Sequence, residues 1–381
     1  MLRWHVSRLA LALALALAML AALAGCRRNR PIPFAGWAFV AAAGDSTVAV
    51  VDLESFSVRR RIPLQSRPAE IVADPSRHRL YVRGEGGPAG LTVIDALTLQ
   101  PTRTLWLGEK LARLRLSPDG RLLYSLDARA HRLRSFDLET SRTHRDIALS
   151  GLPADFDISP EGHWAGVTLG GGQVAIVDLE QGRVTASVAV GQEPGPIAIR
   201  YDGRQAFVAN RAGRTVSVLE FPAGRLITHL GLGARPASLC FKPDGGELFV
   251  TGSDRSMVVI IAAYRNEIDQ PVLAGSEPGD MAATRDNQLL WVANSGANTV
   301  SVIGIDDRRT LAAIPVGRDP RRIVLTPDDQ WALVLNYGSG DMAVIRRRTA
   351  EQPGKVGDRT RSLFTMIPVG NEPVDVAVLA R

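Results

Sequence analysis

Charged side chains recur at one phase of this sequence, two residues after a proline or its equivalent, about every 42 residues. The eight positions are Glu70, Arg113, Asp155, Pro196, Ser238, Asp280, Arg322 and Asp375. Four of them are acidic and two are basic, on segments that are otherwise largely apolar. If the fold gathers them at the mouth of an apolar channel, their charges would focus electrostatic potential and bind a polar ligand or partner. The alternative is that they only pair with one another and with water.

Residue types that catalyse reactions do not gather at this phase. The histidines are scattered and lack metal-ligand spacing: His78, His131, His144, His163 and His229. Cys240 lies between Leu239 and Phe241, a setting typical of a buried, inert thiol. The three glycines at 170–172 are followed by no helical pattern, which argues against a phosphate loop. We therefore expect no catalytic residues, no metal ion and no cofactor.

The elements that would position the charged residues are short strands. Residues 290–303 read as a β-hairpin, because two apolar, β-branched runs flank a turn of Ser, Gly and Asn. Eight copies of this hairpin follow one another, and two further strands lie between successive copies, without helical periodicity. The last copy carries about 11 extra residues in a basic stretch at 346–361, longer than an ordinary connection. Asparagines recur at one phase of the hairpin, and we expect them to shape its turn: Asn210, Asn294 and Asn336.

Four strands per unit with short connections predict an all-β fold, a single β-propeller of four-stranded antiparallel blades over residues 36–381. Eight blades are expected, and seven are the alternative if one degenerate unit is absorbed. The chain starts its first blade on a second strand, at residues 37–41, and ends on a first strand, at residues 374–378. Pairing of these N- and C-terminal strands would complete one blade and close the ring.

The N-terminal residues predict export and anchoring. Residues 1–25 have the features of a lipoprotein signal peptide: a basic start, an apolar run at 9–20 too short to span a bilayer, and small residues before Cys26. This arrangement resembles the bacterial lipobox, so Cys26 is the predicted lipidation site. Residues 26–35 would then be the lipidated cysteine and a basic tether. No Asp follows Cys26, which, by resemblance to the enterobacterial sorting rule, favours the periplasmic face of the outer membrane.

The repeat grammar resembles that of the YVTN family of bacterial β-propeller repeat proteins, within the surface-layer and lactonase-like propellers. The residues that carry the resemblance are Trp-Val-Ala-Asn at 291–294, Thr-Val-Ser-Val-Ile at 299–303, Ile-Pro-Val-Gly at 314–317 and Pro-Asp-Gly at 118–120. The resemblance implies the propeller fold and leaves the function open. Lactonases with similar repeats place their site at the channel mouth, cytochrome d1-like relatives hold haem, and some relatives bind nucleic acid.

Taken together, these features favour a lipid-anchored cell-envelope propeller that acts as a non-enzymatic binding or scaffold module. We expect a monomer whose partner is a protein, a peptide or a glycan. A lactonase-like hydrolase is the alternative, with Glu70, Asp155, Asp280 and Arg322 at its site, but the ring positions include no histidine to serve as a general base. A haem-associated propeller is a lesser alternative. A net charge of +6 is mild, so nucleic-acid binding, through the stretch at 346–361, is not expected.

Overall fold

The computed structural model of the protein describes residues 33–85, 90–106, 110–350 and 362–381. The predicted signal peptide, Cys26 and most of the predicted tether lie outside these residues, so they stay predictions. The predicted propeller, residues 36–381, falls within one compact unit, Ala35–Arg381. No helix in the described part of the chain is long and apolar enough to cross a membrane.

The first half of the ring comprises blades 1 to 4, each numbered here in chain order. Blade 1 contains β1 (Gly36–Ala42), β2 (Thr47–Asp52) and β3 (Ser57–Pro63), together with the last strand of the chain, β32 (Pro373–Ala380). Blade 2 contains β4 (Arg67–Asp74), β5 (Arg79–Glu85), β6 (Gly90–Asp95) and β7 (Gln100–Trp106). Blade 3 contains β8 (Leu111–Leu116), β9 (Leu122–Asp127), β10 (Arg132–Asp137) and β11 (Arg142–Ala148). Blade 4 contains β12 (Pro153–Ile158), β13 (Trp164–Leu169), β14 (Gln173–Asp178) and β15 (Arg183–Ala189).

The second half of the ring comprises blades 5 to 8. Blade 5 contains β16 (Pro194–Ile199), β17 (Gln205–Asn210), β18 (Thr215–Glu220) and β19 (Arg225–Gly231). Blade 6 contains β20 (Pro236–Phe241), β21 (Glu247–Gly252), β22 (Met257–Ala262) and β23 (Glu267–Leu273). Blade 7 contains β24 (Pro278–Ala283), β25 (Leu289–Asn294), β26 (Thr299–Gly304) and β27 (Arg309–Pro315). Blade 8 contains β28 (Pro320–Leu325), β29 (Trp331–Asn336), β30 (Asp341–Arg346) and β31 (Leu363–Pro368), with one helical turn, α1 (Arg347–Ala350), after β30.

The eight antiparallel sheets confirm the predicted propeller and decide for eight blades over seven. The ring closes as the sequence predicts, because β1 pairs with β32 over its whole length, with Trp37 opposite Leu379 and Val40 opposite Val376. The single turn α1 is the one departure from an all-β chain among the described residues. Residues 351–361, most of the predicted basic insertion, lie outside the described residues.

The core lies between the blades, because each sheet packs against a sheet on either side. A middle strand is therefore covered on both faces, and all six residues of β25 are buried. In one such interface Trp291 of blade 7 belongs to the same buried cluster as Ile323 and Val334 of blade 8. The outermost strands show the opposite pattern, and most residues of β3 are exposed. This burial explains why the second and third strands read as continuous apolar runs in the sequence.

The innermost strands all start on one face of the disc, called here the mouth face, and end on the opposite one, called the turn face. The hairpin turns between second and third strands also lie on the mouth face. There Asn294 is buried, and its Nδ2 donates to Thr299 Oγ1 at 3.1 Å and Ser301 Oγ at 2.9 Å. Its Oδ1 accepts the amide of Gly275 at 3.1 Å. These bonds give the asparagine the structural turn role that the sequence predicts.

Candidate functional site

Three of the predicted ring residues meet at the mouth across blades 7, 8 and 1. Arg322, on β28, lies between Asp280 of β24 and Asp375 of β32. Its Nη1 is 3.1 Å from Asp280 Oδ2, and its Nε is 2.9 Å from Asp375 Oδ1. One guanidinium therefore bridges two carboxylates from different blades, a geometry that its planar fork of donors suits.

Three more of the predicted residues gather across blades 2, 3 and 4, and one further arginine joins them. Arg113 Nε is 3.5 Å from Asp155 Oδ1. Arg115 links the acids on either side, with Nη1 3.5 Å from Glu70 Oε1 and Nη2 3.7 Å from Asp155 Oδ1. Arg115 was not among the predicted ring residues. It stands two residues after Arg113 on the same strand, so strand alternation places both on the channel side and could have identified it.

Arg83 is a second contributor outside the predicted ring residues. It belongs to β5, a second strand, and lies outside the repeat phase that defines the ring. Its Nε is 3.3 Å from Glu70 Oε2, and its Nη1 donates to the carbonyl of Leu111 at 3.0 Å in the next blade. No repeat position indicates this residue, because a long side chain reaches the ring from a neighbouring strand.

Three of the four acidic ring residues tie their own blade to the next one. Asp375 Oδ2 accepts the amide of Ile71 at 3.0 Å, Glu70 Oε2 accepts that of Leu114 at 3.1 Å, and Asp280 Oδ2 accepts that of Ile323 at 3.0 Å. In each case the acceptor belongs to one inner strand and the donor to the next one around the ring. The carboxylates thus satisfy backbone donors that an inner strand would otherwise leave unpaired at the channel.

Three of the four arginines in these networks are more exposed than the acids that they contact, whereas Arg83 is 7% exposed. The exposed fractions of the side chains are 45% for Arg113, 41% for Arg322 and 39% for Arg115. For the carboxylates they are lower: 10% for Glu70 and Asp155, 11% for Asp375 and 19% for Asp280. A ring that reads as mostly acidic in the sequence therefore offers mainly guanidinium donors to a ligand.

Two predicted ring positions remain outside this network. Pro196 and Ser238, in blades 5 and 6, occupy the uncharged part of the ring, and the Ser238 amide donates to Thr251 Oγ1 at 3.0 Å.

Cys240, two residues further along the same strand as Ser238, stays an unreactive thiol, because burial raises its pKa to about 12. Within the residues that the structure describes, no group of three His, Cys, Asp or Glu could hold a metal ion.

Burial perturbs the titration of the acids at the mouth. It raises the pKa of Glu70 and of Asp155, against the effect of the neighbouring arginines. It also raises the pKa of Asp157, two residues deeper on β12, to about 6. The carboxylates Asp280 and Asp375 raise the pKa of Arg322, so that this guanidinium stays charged. Asp157 was absent from the predicted ring, although strand alternation from Asp155 points to it.

Replacing Asp157 by Asn is expected to change how stability depends on pH. The folded-state pKa of about 6 lies above the ordinary 3.8, so the folded chain holds this proton more tightly than the unfolded chain does. Its contribution to the unfolding free energy is complete below pH 3.8 and is lost as the pH rises through about 6. Urea unfolding should show that D157N gains up to about 2 kcal/mol relative to wild type between pH 4 and pH 7.

Asp95 supplies a control of opposite sign for this pH dependence. Its carboxylate accepts the amide of Thr98 at 2.7 Å, and this bond lowers its pKa. The stability that it provides is therefore lost as the pH falls, and D95N should lose stability relative to wild type as the pH rises from 3 to 6. Parallel pH profiles for D157N and wild type would contradict the raised pKa of Asp157.

A cleft of about 930 Å³ opens beside the mouth, between the inner strands of blades 4 and 5. Arg113 and Asp155 line one side of it, and Arg211, in the turn after β17, lines the other. Two glycine-containing segments complete the wall, the turn at 170–172 and the connection at 189–196. The sequence argues against a phosphate loop at these glycines, and Arg211 lies outside the repeat phase that defines the predicted ring.

Comparisons with known proteins show the fold. No family model matches the chain, and no curated protein matches it. Among solved structures, the dihydro-heme d1 dehydrogenase NirN in complex with DHE has a TM-score of 0.74 at 15% identity, covering 92% of this chain and 76% of that chain. Kuenenia stuttgartiensis hydrazine synthase has a TM-score of 0.58 at 19% identity, covering 73% of this chain and 95% of that chain. A functionally unknown protein from Desulfotomaculum acetoxidans has a TM-score of 0.59 at 15% identity, covering 73% and 94%.

These similarities assign no family. The identities are all below 20%, so the shared feature is the architecture of the propeller. The eight-bladed ring is established, whereas membership of the YVTN family stays a prediction from the repeat grammar.

Proposed function

We propose that this protein is a lipid-anchored cell-envelope propeller that acts as a non-enzymatic binding module, with its mouth face as the contact surface for a protein, peptide or glycan partner. The observation that carries the proposal is the division of roles at the ring. The acids are largely buried and accept backbone amides of the next blade, while the side chains of Arg113, Arg115 and Arg322 stay partly exposed. Such donors bind carboxylate, phosphate and carbonyl oxygens of a partner.

Hydrolysis at the mouth is the second candidate, because carboxylates and arginines meet there. A hydrolase needs a carboxylate or an imidazole that is free to move a proton. Asp157 has a suitable pKa of about 6, but its two oxygens accept the amides of Ile158 at 3.0 Å and Ile199 at 2.8 Å. The described inner strands contribute no histidine to the mouth. Lactone turnover that is lost in D155N would favour the hydrolase over the binding module.

The similarity to NirN makes a haem-type ligand a lesser candidate. The exposed arginines could contact the acidic groups of such a ligand. However, the described mouth residues fit axial coordination of iron poorly, because they include no histidine and the thiol of Cys240 has a pKa raised to about 12. Nucleic-acid binding has less support, because carboxylates accompany the arginines throughout the ring.

Cross-linking in intact envelopes tests the proposal. We expect the full-length protein to capture one dominant partner, and the double variant R113Q/R322Q to capture it at least about tenfold less, because two charge-assisted contacts are lost. The matched control is R204Q/R285Q, which removes two exposed arginines from the turn face. Mass spectrometry identifies the partner, and a thermal melt of each variant shows that the ring is intact. Equal capture by both double variants would contradict a contact through the mouth face.

A further inference from the structure

We infer that the cleft between blades 4 and 5 is a binding site for an oxyanion, the carboxylate or phosphate group of a ligand held between Arg113 and Arg211. This inference rests on the proposed binding role of the mouth face and names the chemistry of one part of it. The cleft volume of about 930 Å³ lies within the range of sites that hold small molecules or the end of a larger ligand.

The two arginines reach the cleft from different blades and keep donors available. Arg113 contacts Asp155 only through Nε, at a long 3.5 Å, and its side chain is nearly half exposed. Asp155 Oδ1 has no hydrogen-bond partner, so this pairing holds the guanidinium loosely. Arg211 is exposed, and among the described residues no carboxylate lies within ion-pair distance of it. A bound oxyanion could accept hydrogen bonds from both forks.

The glycines shape the cleft and position Arg211. A Cβ added at Gly195 would lie 3.2 Å from Arg211 Nε, so the side chain of the arginine rests on this glycine. Gly171 has a φ of 96°, and a Cβ added there would meet nothing within 4 Å, so its backbone borders open space. At these two glycines the wall therefore exposes backbone, which leaves room there for a polar ligand close to the main chain.

Two acids also line the cleft and oppose an anion. Asp155 is buried, and its charge is shared between Arg113 and Arg115. Glu193 is exposed at the wall. The expected ligand is therefore one that approaches the arginines from the solvent side, with a polar, hydroxyl- or amide-bearing remainder facing Glu193. Uronic sugars, acidic peptides and phosphate esters share this chemistry.

Thermal-shift titration of the full-length protein in detergent tests the inference. The probes are inorganic phosphate and citrate, each at constant ionic strength balanced with sodium chloride. We expect the melting temperature to rise with at least one probe, because an anion that binds only the folded state stabilises it. R211Q should bind about tenfold more weakly, since one charge-assisted contact is lost. Ala154→Glu, which adds a carboxylate to the exposed wall, should abolish the shift.

R235Q is the matched control, because Arg235 is an exposed arginine on the same face outside the cleft. A shift with phosphate alone would identify a phosphate group, and a shift with citrate alone a carboxylate. No shift with either probe, or equal shifts in R211Q and R235Q, would overturn the inference. One combination of results separates the two proposals: R113Q/R322Q loses the cross-linked partner, whereas R211Q keeps it and binds phosphate and citrate as tightly as the wild type does. In that case the inference fails and the proposed function stands.

Discussion

A chain that ends at Asn371 is expected to lose the cooperative fold. The missing strand β32 is the innermost strand of blade 1 and pairs with β1 from Gly36 to Ala42. It also carries Asp375, which accepts the amide of Ile71 in blade 2 and contacts Arg322 in blade 8. Its loss opens the ring and leaves β1 with an unpaired edge, which promotes association. Circular dichroism melts should show no sharp transition, and gel filtration should show aggregated chains.

Removal of Arg381 alone is the control for this truncation. Arg381 Cζ lies 4.1 Å from the ring centroid of Trp37, and its Nη2 lies 3.1 Å from Asp52 Oδ2. The residue nevertheless follows the end of β32, and its side chain is partly exposed. Its deletion should cost about 1 kcal/mol or less. A chain ending at Asn371 that melts as sharply as the full chain, at the same temperature, would show that pairing of the two ends does not hold the ring together.

The second large effect is expected for Trp331→Ala. This indole, at the start of β29, is 1% exposed, and it lies where blade 8 packs against blade 1. Its ring centroid lies 4.9 Å from that of Phe56 in blade 1 and 5.3 Å from that of Phe364 in its own blade. Truncation leaves a large cavity at the junction of blades 8 and 1. Urea unfolding should show that the free energy of unfolding falls by about 3–5 kcal/mol.

Two further variants make this result interpretable. Trp331→Phe retains an aromatic ring and removes an indole N–H that has no hydrogen-bond partner, so it should lose far less stability than the alanine variant. Trp106→Ala removes an indole that is 62% exposed and should change the unfolding free energy by less than about 0.5 kcal/mol. Equal losses of unfolding free energy for Trp331→Ala and Trp106→Ala would contradict a stabilising role of Trp331 at the junction of blades 8 and 1.

The fold of this protein could be predicted from its sequence because the information is local and repeated. Residues 290–303 contain two apolar runs and a turn, and eight copies of this pattern specify eight hairpins without any knowledge of their packing. Even ring closure follows from phase, since a chain that begins on a second strand and ends on a first strand can complete one blade. The phase of the charged residues placed Asp280, Arg322 and Asp375 together for the same reason.

Only the tertiary structure decided what those charges do. Whether Glu70 faces a ligand or the Leu114 amide depends on how one blade packs against the next around the ring, and no spacing along the chain encodes that contact. The same stacking brings Arg83 to the ring from a second strand and places Arg211 opposite Arg113 across a cleft. Repeats fix which strands form, because pairing is local; the contacts between blades fix which side chains remain accessible, because burial is a property of the assembled ring.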